Sequence, residues 1–277
     1  MTSFCIQTFN TMQYEEIIDI FWKEYVKTTP SAGKIHELLE AKGEKISNDH
    51  IAFRTFNHPS INVEQLAKPF LACGYVEKDE YVFEEKKLKA KHYEHPDAKA
   101  PKIFISELLL EECSEELQFL VLNKINEIPM GLIETSSTIF SGRPWGTISH
   151  ETYLKLREES EYAAWMYVYG FCANHFTINV NQLTAIESLE EMNLFLEENG
   201  FSMNISGGEI KGSPEALLEQ SSILADKKAV EFAEGSFEVP SCYYEFARRY
   251  EDVSGVLFNG FIAKSADKIF ESTNAVH

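Results

Sequence analysis

The periodicity of apolar residues changes along the chain and predicts where helices and strands lie. Apolar side chains recur at helical spacing over residues 14–26 and again over 35–41, which indicates two opening helices. From Asn48 the period falls to two, so NDHIAFRTF is predicted to be a strand. A helix that Gly74 closes comes next, and three more strands are predicted over residues 75–109.

The same order recurs after a mainly helical stretch at residues 111–170. NHFTINVNQ is again predicted to be a strand, the helix after it ends at Gly200, and about three strands are expected before Tyr250. The interval from histidine to glycine is 24 residues in the first half and 25 in the second, counted from His50 and His175. These matching intervals favour a duplicated module. The alternative is that strand, helix and glycine form a common local order.

A duplicated module predicts an α+β fold in which two βαβββ modules form a curved sheet, or half-barrel, around a cavity. Helices are added at the N-terminus and between the modules. The predicted parts of this single domain of residues 1–277 are N-terminal helices (1–46), a first module (47–110), a helical insertion (111–172), and a second module with a C-terminal segment (173–277).

The composition narrows the classes of partner. With 44% apolar and 25% charged residues the chain resembles an ordinary globular protein, and no stretch approaches the roughly 18 uncharged apolar residues that span a bilayer. A formal net charge of -19 repels phosphate backbones and anionic lipids, so neither nucleic acid nor membrane is expected as a partner. No secretory signal is visible, and the five cysteines are scattered without a CxxC pair. A cytoplasmic protein without a disulfide framework is predicted.

Two of the predicted strands carry a polar face that includes a histidine. His50 shares its face with Arg54, and His175 shares its face with Thr177 and Asn179. A polar strand face often only meets water. If the two modules roll into half-barrels, however, the two histidine faces converge in one cavity, where neutral imidazoles suit a divalent metal.

A late strand, SCYYEFARRY, supplies a third candidate ligand. The carboxylate of Glu245 completes a set of two histidines and one carboxylate, which leaves positions open for substrate and oxygen and favours iron(II). Arg54 lies roughly 13 Å along the strand from His50 and is expected to bind the carboxylate of an anionic substrate through two hydrogen bonds. Its alternative role is a structural ion pair. Arg249 is a weaker candidate, because Arg248 beside it suggests a solvated basic end.

Other sequence signals assign no further chemistry. The remaining histidines are predicted to lie at the surface. His92 and His95 belong to a basic hairpin, His58 precedes a proline in a turn, and three have no partner pattern: His36, His150 and His277. The chain has no nucleophile elbow, Walker loop, dinucleotide fingerprint or HExxH helix. Serine hydrolases, phosphoryl transferases and dinucleotide-dependent enzymes therefore lose their usual support.

Three motifs together resemble a known family. DHIAFRTF around His50, NHFTINVNQ around His175 and YYEFARR around Glu245 are similar, in this order, to the family called domain of unknown function 1338. Its characterised members are 2-oxoadipate dioxygenase/decarboxylases, also called 2-hydroxyglutarate synthases. The resemblance extends from about Asn48 to Thr273 and implies a fold similar to the vicinal oxygen chelate superfamily, which includes glyoxalases and extradiol dioxygenases.

The resemblance also implies roles for particular residues. His50, His175 and Glu245 match the iron ligands, Arg54 matches the arginine that grips the substrate carboxylate, and Ser265 in AKSADKIF matches a substrate-contacting segment. The implied reaction uses O2 to convert a 2-oxo acid, with 2-oxoadipate giving 2-hydroxyglutarate and CO2. Two alternatives stay open: a glyoxalase-like isomerase or hydrolase that uses zinc or nickel, and a protein that binds metal or small molecules without turnover.

Overall fold

A computed structural model describes residues 12–262 and gives that range a mixed sequence of helices and strands. The helices are α1 (Tyr14–Thr28), α2 (Pro30–Ala41), α3 (Val63–Ala72), α4 (Glu115–Ile125), α5 (Met130–Glu134), α6 (His150–Glu159), α7 (Glu161–Tyr169) and α8 (Leu189–Glu198). The strands are β1 (Asn48–Phe56), β2 (Val76–Phe83), β3 (Leu88–Glu94), β4 (Lys102–Leu108), β5 (Ala173–Asn179), β6 (Lys211–Ser213), β7 (Leu218–Ser222), β8 (Lys227–Phe232), β9 (Gly235–Pro240) and β10 (Glu245–Arg249). Among the helices of this range, none has both the length and the apolar character that crossing a bilayer would require.

Local sequence explains where most of the helices begin. A polar side chain at the N-cap accepts a hydrogen bond from the backbone N–H three residues further on, which satisfies a donor that the helix itself leaves unbonded. This arrangement starts five helices, at Asn62, Ser114, Ser149, Ser160 and Ser188.

The two helices of the predicted repeat, α3 and α8, end in the same way. Gly74 and Gly200 follow them in the left-handed conformation, with φ values of 106° and 86°. The next residue is aromatic in both cases, and its N–H bonds back to the helix, from Tyr75 to Phe70 and from Phe201 to Leu196. Both helix ends are therefore Schellman motifs.

The described chain forms two units, each assembled from separated segments. Unit 1 comprises residues 12–24, 52–173 and 229–237, and unit 2 comprises residues 25–51, 174–228 and 238–262. Strand β1 begins in unit 2 and continues into unit 1. The module boundaries drawn from the sequence stay a prediction.

Unit 1 is built on the strand order β2-β3-β4-β1, with antiparallel pairing of β2 with β3 and of β3 with β4. Its core contains the rings of Phe21 and Phe53, whose centroids lie 4.7 Å apart. Tyr162 on α7 is bound to two strands, because its hydroxyl accepts a hydrogen bond from the N–H of Thr55 and donates one to the carbonyl of Ser106. Helices α4 to α7 occupy the predicted helical insertion.

Unit 2 contains the first residues of β1 followed by β5, β10, β7 and β6 in spatial order. Strand β10 runs parallel to β5, with Glu245 opposite Thr177, and antiparallel to β7, with Glu245 opposite Ser222. The hydroxyl of Tyr25 donates a hydrogen bond to the carbonyl of Tyr243, so α1 is tied to the residues that lead into β10. Strand β5 thus lies between β1 and β10.

The second half has more strands than the sequence predicted. Five strands follow α8, where about three were expected before Tyr250. The five are β6, which has only three residues, β7 and β10 of the large sheet, and β8 and β9, which form a separate two-stranded sheet. A three-residue strand is too short to show a period of two, because alternation must persist over about four residues to be recognised.

Candidate metal centre

Three neighbouring strands of unit 2 carry the three predicted ligands. His50 lies on β1, His175 on β5 and Glu245 at the start of β10, and these strands are adjacent in that order. All three side chains are buried, and one ligand atom of each lies within 4.8 Å of the other two. Nε2 of His50 is 3.5 Å from Oε1 of Glu245, and Nε2 of His175 is 3.2 Å from Oε2. Each imidazole therefore faces a different oxygen of one carboxylate.

Each histidine is oriented by the residue immediately before it. Nδ1 of His50 donates a hydrogen bond to Oδ1 of Asp49 over 2.7 Å, and Nδ1 of His175 donates one to Oδ1 of Asn174 over 3.0 Å. Because an oxygen acceptor fixes the proton on Nδ1, the lone pair of Nε2 points toward the shared carboxylate. Both rings thus present the nitrogen that a metal would bind.

The carboxylate of Glu245 has a strongly perturbed environment. Burial raises the pKa of Glu245 to about 7, although the electrostatic interaction with His50, when that ring is protonated, and a hydrogen bond from Gln220 act in the opposite direction. Among the described residues, Oε2 of Glu245 is a buried oxygen that receives no hydrogen bond. A divalent cation at this point would satisfy that oxygen and favour the charged carboxylate. Two imidazole nitrogens and a buried carboxylate oxygen fit such an ion.

Asp49, which orients His50, forms an ion pair with Arg249 that the sequence analysis did not predict. Nε and Nη2 of Arg249 donate hydrogen bonds to the two carboxylate oxygens of Asp49, at 2.7 and 2.9 Å. Burial raises the pKa of Asp49, but the charge of Arg249 and the hydrogen bonds to Asp49 outweigh it and hold that pKa well below its usual range. Asp49 is therefore ionised while it accepts the proton of His50.

The prediction that Arg249 belongs to a solvated basic end was wrong. Arg249 is 3% exposed and shares a strand face with Glu245, whereas Arg248 lies on the other face with its guanidinium over the ring of Tyr250. Strand alternation separates two adjacent arginines onto opposite sides. The period of two was thus the signal that could have identified Arg249.

Aromatic rings pack against both histidines. The ring of Phe261 stands edge-on to His50 with centroids 4.8 Å apart, and the ring of Tyr243 stacks on His175 at 4.7 Å. These contacts restrict the rotation of the imidazoles and exclude water from the site. Ser265, the predicted substrate contact, lies outside the described residues.

Arg54 lies in unit 1, whereas the three candidate ligands lie in unit 2. Its buried guanidinium is 4.8 Å from the ring centroid of Tyr162 and 5.1 Å from that of Trp165. Nη1 lies 3.8 Å from Oε1 of Glu161, so the alternative of a structural ion pair has a partner of the expected type. The role of Arg54 toward a substrate stays a prediction.

One of the histidines expected at the surface is buried. His92 on β3 is 1% exposed, and its Nδ1 lies 3.0 Å from the hydroxyl of Tyr81. The prediction was wrong because the basic residues of this strand, Lys89 and Lys91, occupy the opposite face. The other described histidines outside the cluster, His36, His58, His95 and His150, are half-buried.

Sequence similarity to described proteins extends over most of this chain. A family model described as 2-oxoadipate dioxygenase/decarboxylase matches residues 9–130 and 131–253. A rice relative (Oryza sativa subsp. japonica) described as a chloroplastic or amyloplastic 2-oxoadipate dioxygenase/decarboxylase is 36% identical, over 94% of this chain and 79% of its own. That name places the rice protein in plastids. The cytoplasmic location expected for this chain stays a prediction.

Solved structures extend the comparison to the fold. Rice hydroxyglutarate synthase, solved in complex with 2-oxoadipate, is 34% identical with a TM-score of 0.88, over 99% of this chain and 95% of that one. A protein of Shewanella frigidimarina NCIMB 400 described as a candidate hydrolase is 50% identical with a TM-score of 0.86, over 91% and 98% of the two chains.

A more distant structure shares the fold alone. A glyoxalase-superfamily protein of Ralstonia eutropha JMP134 is 19% identical with a TM-score of 0.71, over 87% of this chain and 83% of that one. This likeness confirms the predicted α+β fold and its similarity to the fold of a glyoxalase-superfamily protein. The match of the family model over both halves, together with the rice relative, gives the stronger conclusion. The chain belongs to the 2-oxoadipate dioxygenase/decarboxylase family.

Proposed function

We propose that this protein is a non-haem iron(II)-dependent dioxygenase and decarboxylase that converts a 2-oxoadipate-like 2-oxo acid and O2 into 2-hydroxyglutarate and CO2. The observation that carries the proposal is the buried cluster of His50, His175 and Glu245, whose ligand atoms lie within 4.8 Å of one another. Membership in the 2-oxoadipate dioxygenase/decarboxylase family and the likeness to a structure solved with 2-oxoadipate support it.

The donor set favours iron(II) among divalent metals. Two imidazoles and one carboxylate on the same side of an ion leave its other positions open, which suits non-haem iron oxygenases. A bound iron(II) would supply electrons for oxygen activation and a positive charge that attracts an anionic 2-oxo acid. Zinc or nickel would also accept these donors.

The protein residues hold this centre in place and keep its ligands deprotonated. Asp49 and Asn174 fix the Nδ1 protons of His50 and His175, so each Nε2 carries the lone pair that a metal binds. The hydroxyl of Thr177, 3.1 Å from Nε2 of His50, would turn away when a cation binds there. Glu245, whose pKa is about 7, releases its proton when a cation binds. The buried aromatic surroundings keep bulk water from the reacting groups.

Arg54 is the proposed partner of the substrate carboxylate. Its planar guanidinium offers two parallel N–H donors, and it packs against the rings of Tyr162 and Trp165. Such a clamp would fix the orientation of a flexible dicarboxylic acid and so reduce the entropic part of the barrier. Ser265 is proposed as a further substrate contact.

The proposed function is tested by anaerobic reconstitution with iron(II), followed by a screen of 2-oxo acids for O2 uptake and CO2 release. We expect both with 2-oxoadipate in roughly one-to-one amounts, and neither with the His175→Ala variant. Release of CO2 without O2 uptake would contradict the proposal.

An isomerase or hydrolase that uses zinc or nickel is the second candidate. The candidate-hydrolase description of the Shewanella protein, which is 50% identical to this chain, favours it. It predicts turnover that is independent of O2 in protein loaded with zinc or nickel. A protein that binds metal and 2-oxo acid tightly but converts no substrate would support the third alternative, a binding protein.

A further inference from the structure

The guanidinium of Arg249 contacts two different parts of unit 2. Nε and Nη2 bind the carboxylate of Asp49, and Nη1 donates hydrogen bonds to the carbonyls of Phe258 and Gly260, at 3.1 and 2.7 Å. Asp49 in turn accepts the Nδ1 proton of His50. The buried guanidinium of Arg249 therefore binds both the carboxylate that orients His50 and the backbone of a C-terminal segment, residues 256–262.

The same segment also touches the histidine directly. The ring of Phe261 packs edge-on against His50, and the guanidinium of Arg249 lies 5.2 Å from the centroid of that ring. The contacts thus form a closed circuit from Arg249 through Asp49, His50 and Phe261 back to Arg249. In a closed circuit, displacement of one member loosens the contacts of the others.

We propose that Arg249 is a positioning residue that couples the order of residues 256–262 to the orientation of His50. The proposal rests on the proposed function in one respect, because it treats His50 as a metal ligand. Arginine suits the task because its donors diverge within one plane: two match a carboxylate, and the remaining nitrogen reaches the two carbonyls. Lysine places its charge at one point and cannot reproduce both contacts.

His175 provides a comparison with His50 within the same site. His175 is oriented by Asn174, a neutral amide, whereas His50 is oriented by a carboxylate bound to Arg249. Loss of Arg249 should therefore disturb only one of the two imidazoles. The expected consequence is a weaker metal site that keeps its stoichiometry of one ion per chain.

The first test measures Co(II) affinity of the metal-free protein under anaerobic conditions. We expect Arg249→Gln and Asp49→Asn each to weaken binding about 10- to 100-fold, the range typical of groups that orient a metal ligand. The double variant should bind Co(II) no more than about threefold less tightly than the single variant with the lower affinity. This is because the two residues act as a unit. Arg249→Lys should stay weakened.

The adjacent arginine offers a matched control. Arg248 carries the same charge one position away but lies on the other strand face, over Tyr250. Arg248→Gln should keep Co(II) affinity within about threefold of the parent, since this half-buried side chain contacts neither Asp49 nor His50 in the described structure. Equal losses in the Arg248 and Arg249 variants would show that net charge, and not positioning, matters.

The second test follows hydrogen exchange of residues 256–262 in the metal-free protein, a readout that needs neither metal nor activity. Asp49 is linked to this segment through Arg249 and also through the contact of His50 with Phe261, so Asp49→Asn should raise exchange there, as Arg249→Gln does. A merely local role of Asp49 would leave the segment unchanged. Circular dichroism identifies any variant that fails to fold, and Arg249→Lys then replaces Arg249→Gln.

The outcomes separate this inference from the proposed function. If the parent protein binds no Co(II), the proposed metal site fails, while increased exchange in Asp49→Asn still supports the coupling. If Asp49→Asn leaves exchange of residues 256–262 unchanged, or Arg249→Gln binds Co(II) as tightly as the parent, the coupling is overturned even if the enzyme is active.

Discussion

Gln220 donates a hydrogen bond from Nε2 to Oε1 of Glu245 over 2.7 Å, inside unit 2. The two residues lie on neighbouring antiparallel strands, β7 and β10. Gln220 thereby fixes one carboxylate oxygen and leaves the other beside His175. This single bond sets the direction in which Glu245 can bind a cation, and it does so without adding charge.

Glu245 makes the stability of the metal-free protein depend on pH. Burial raises its pKa from 4.5 to about 7, so the folded state holds the proton more tightly than the unfolded state does. The associated stability is fully present below about pH 4.5 and is lost as the pH rises through 7, by up to about 3 kcal/mol. Urea unfolding at pH 5 and pH 8 measures this loss.

The matched variants for this test are Glu245→Gln and Glu238→Gln. Glutamine cannot titrate, so Glu245→Gln should show a smaller loss of unfolding free energy between the two pH values than the parent. Glu238 is exposed on β9, and its variant should behave as the parent does. An unchanged pH dependence in Glu245→Gln would contradict the assignment. Metal affinity should change in the opposite sense and increase with pH.

His175→Ala should abolish metal retention. The substitution removes one of three donors and leaves the buried carboxylate of Glu245 without its neighbour at 3.2 Å. Metal analysis of protein purified after anaerobic loading with iron(II) measures the effect. His58→Ala, which changes a half-buried histidine of unit 1, should retain the metal content of the parent. Equal metal content in both variants would rule out the proposed ligand.

Arg54→Lys should retain metal and raise the KM for the 2-oxo acid. Loss of one charge-assisted hydrogen bond costs about 1.5–3 kcal/mol, which corresponds to roughly a 10- to 100-fold change. Steady-state kinetics of iron-loaded protein gives the KM. Glu161→Gln removes the ion-pair partner at 3.8 Å and should leave the KM nearly unchanged. If both variants have the same effect, Arg54 serves a structural ion pair instead.

The core of unit 1 can be weakened without altering the metal donors. Phe53→Ala should lower the free energy of unfolding by about 3–5 kcal/mol, because the buried ring packs against Phe21 and Phe70 and its loss leaves a cavity. Phe119, which is 65% exposed on α4, provides the control, and Phe119→Ala should change stability by less than about 0.5 kcal/mol. Urea unfolding measures both. Folded Phe53→Ala protein that binds no metal would show that the core and the centre are not separable.

Much of this arrangement follows from local sequence. Strand alternation places His50 and His175 on polar faces, Schellman glycines end the two equivalent helices, and the motif around Glu245 supplies a carboxylate. These are short-range properties of the backbone, so periodicity is sufficient to find them. The sequence therefore selected three residues far apart in the chain, and the structure brings them within 4.8 Å.

The tertiary structure decided what surrounds those residues. Asp49 precedes His50, so alternation predicts opposite faces, yet its carboxylate bonds to both His50 and Arg249, which lies 200 positions away. His92 was likewise predicted to be exposed because its neighbours are basic, yet it is buried. Whether a charged side chain is solvated or buried depends on the partner that the fold brings to it, because desolvation and ion pairing are set by spatial neighbours. Local composition does not contain that information, and strand pairing supplies it.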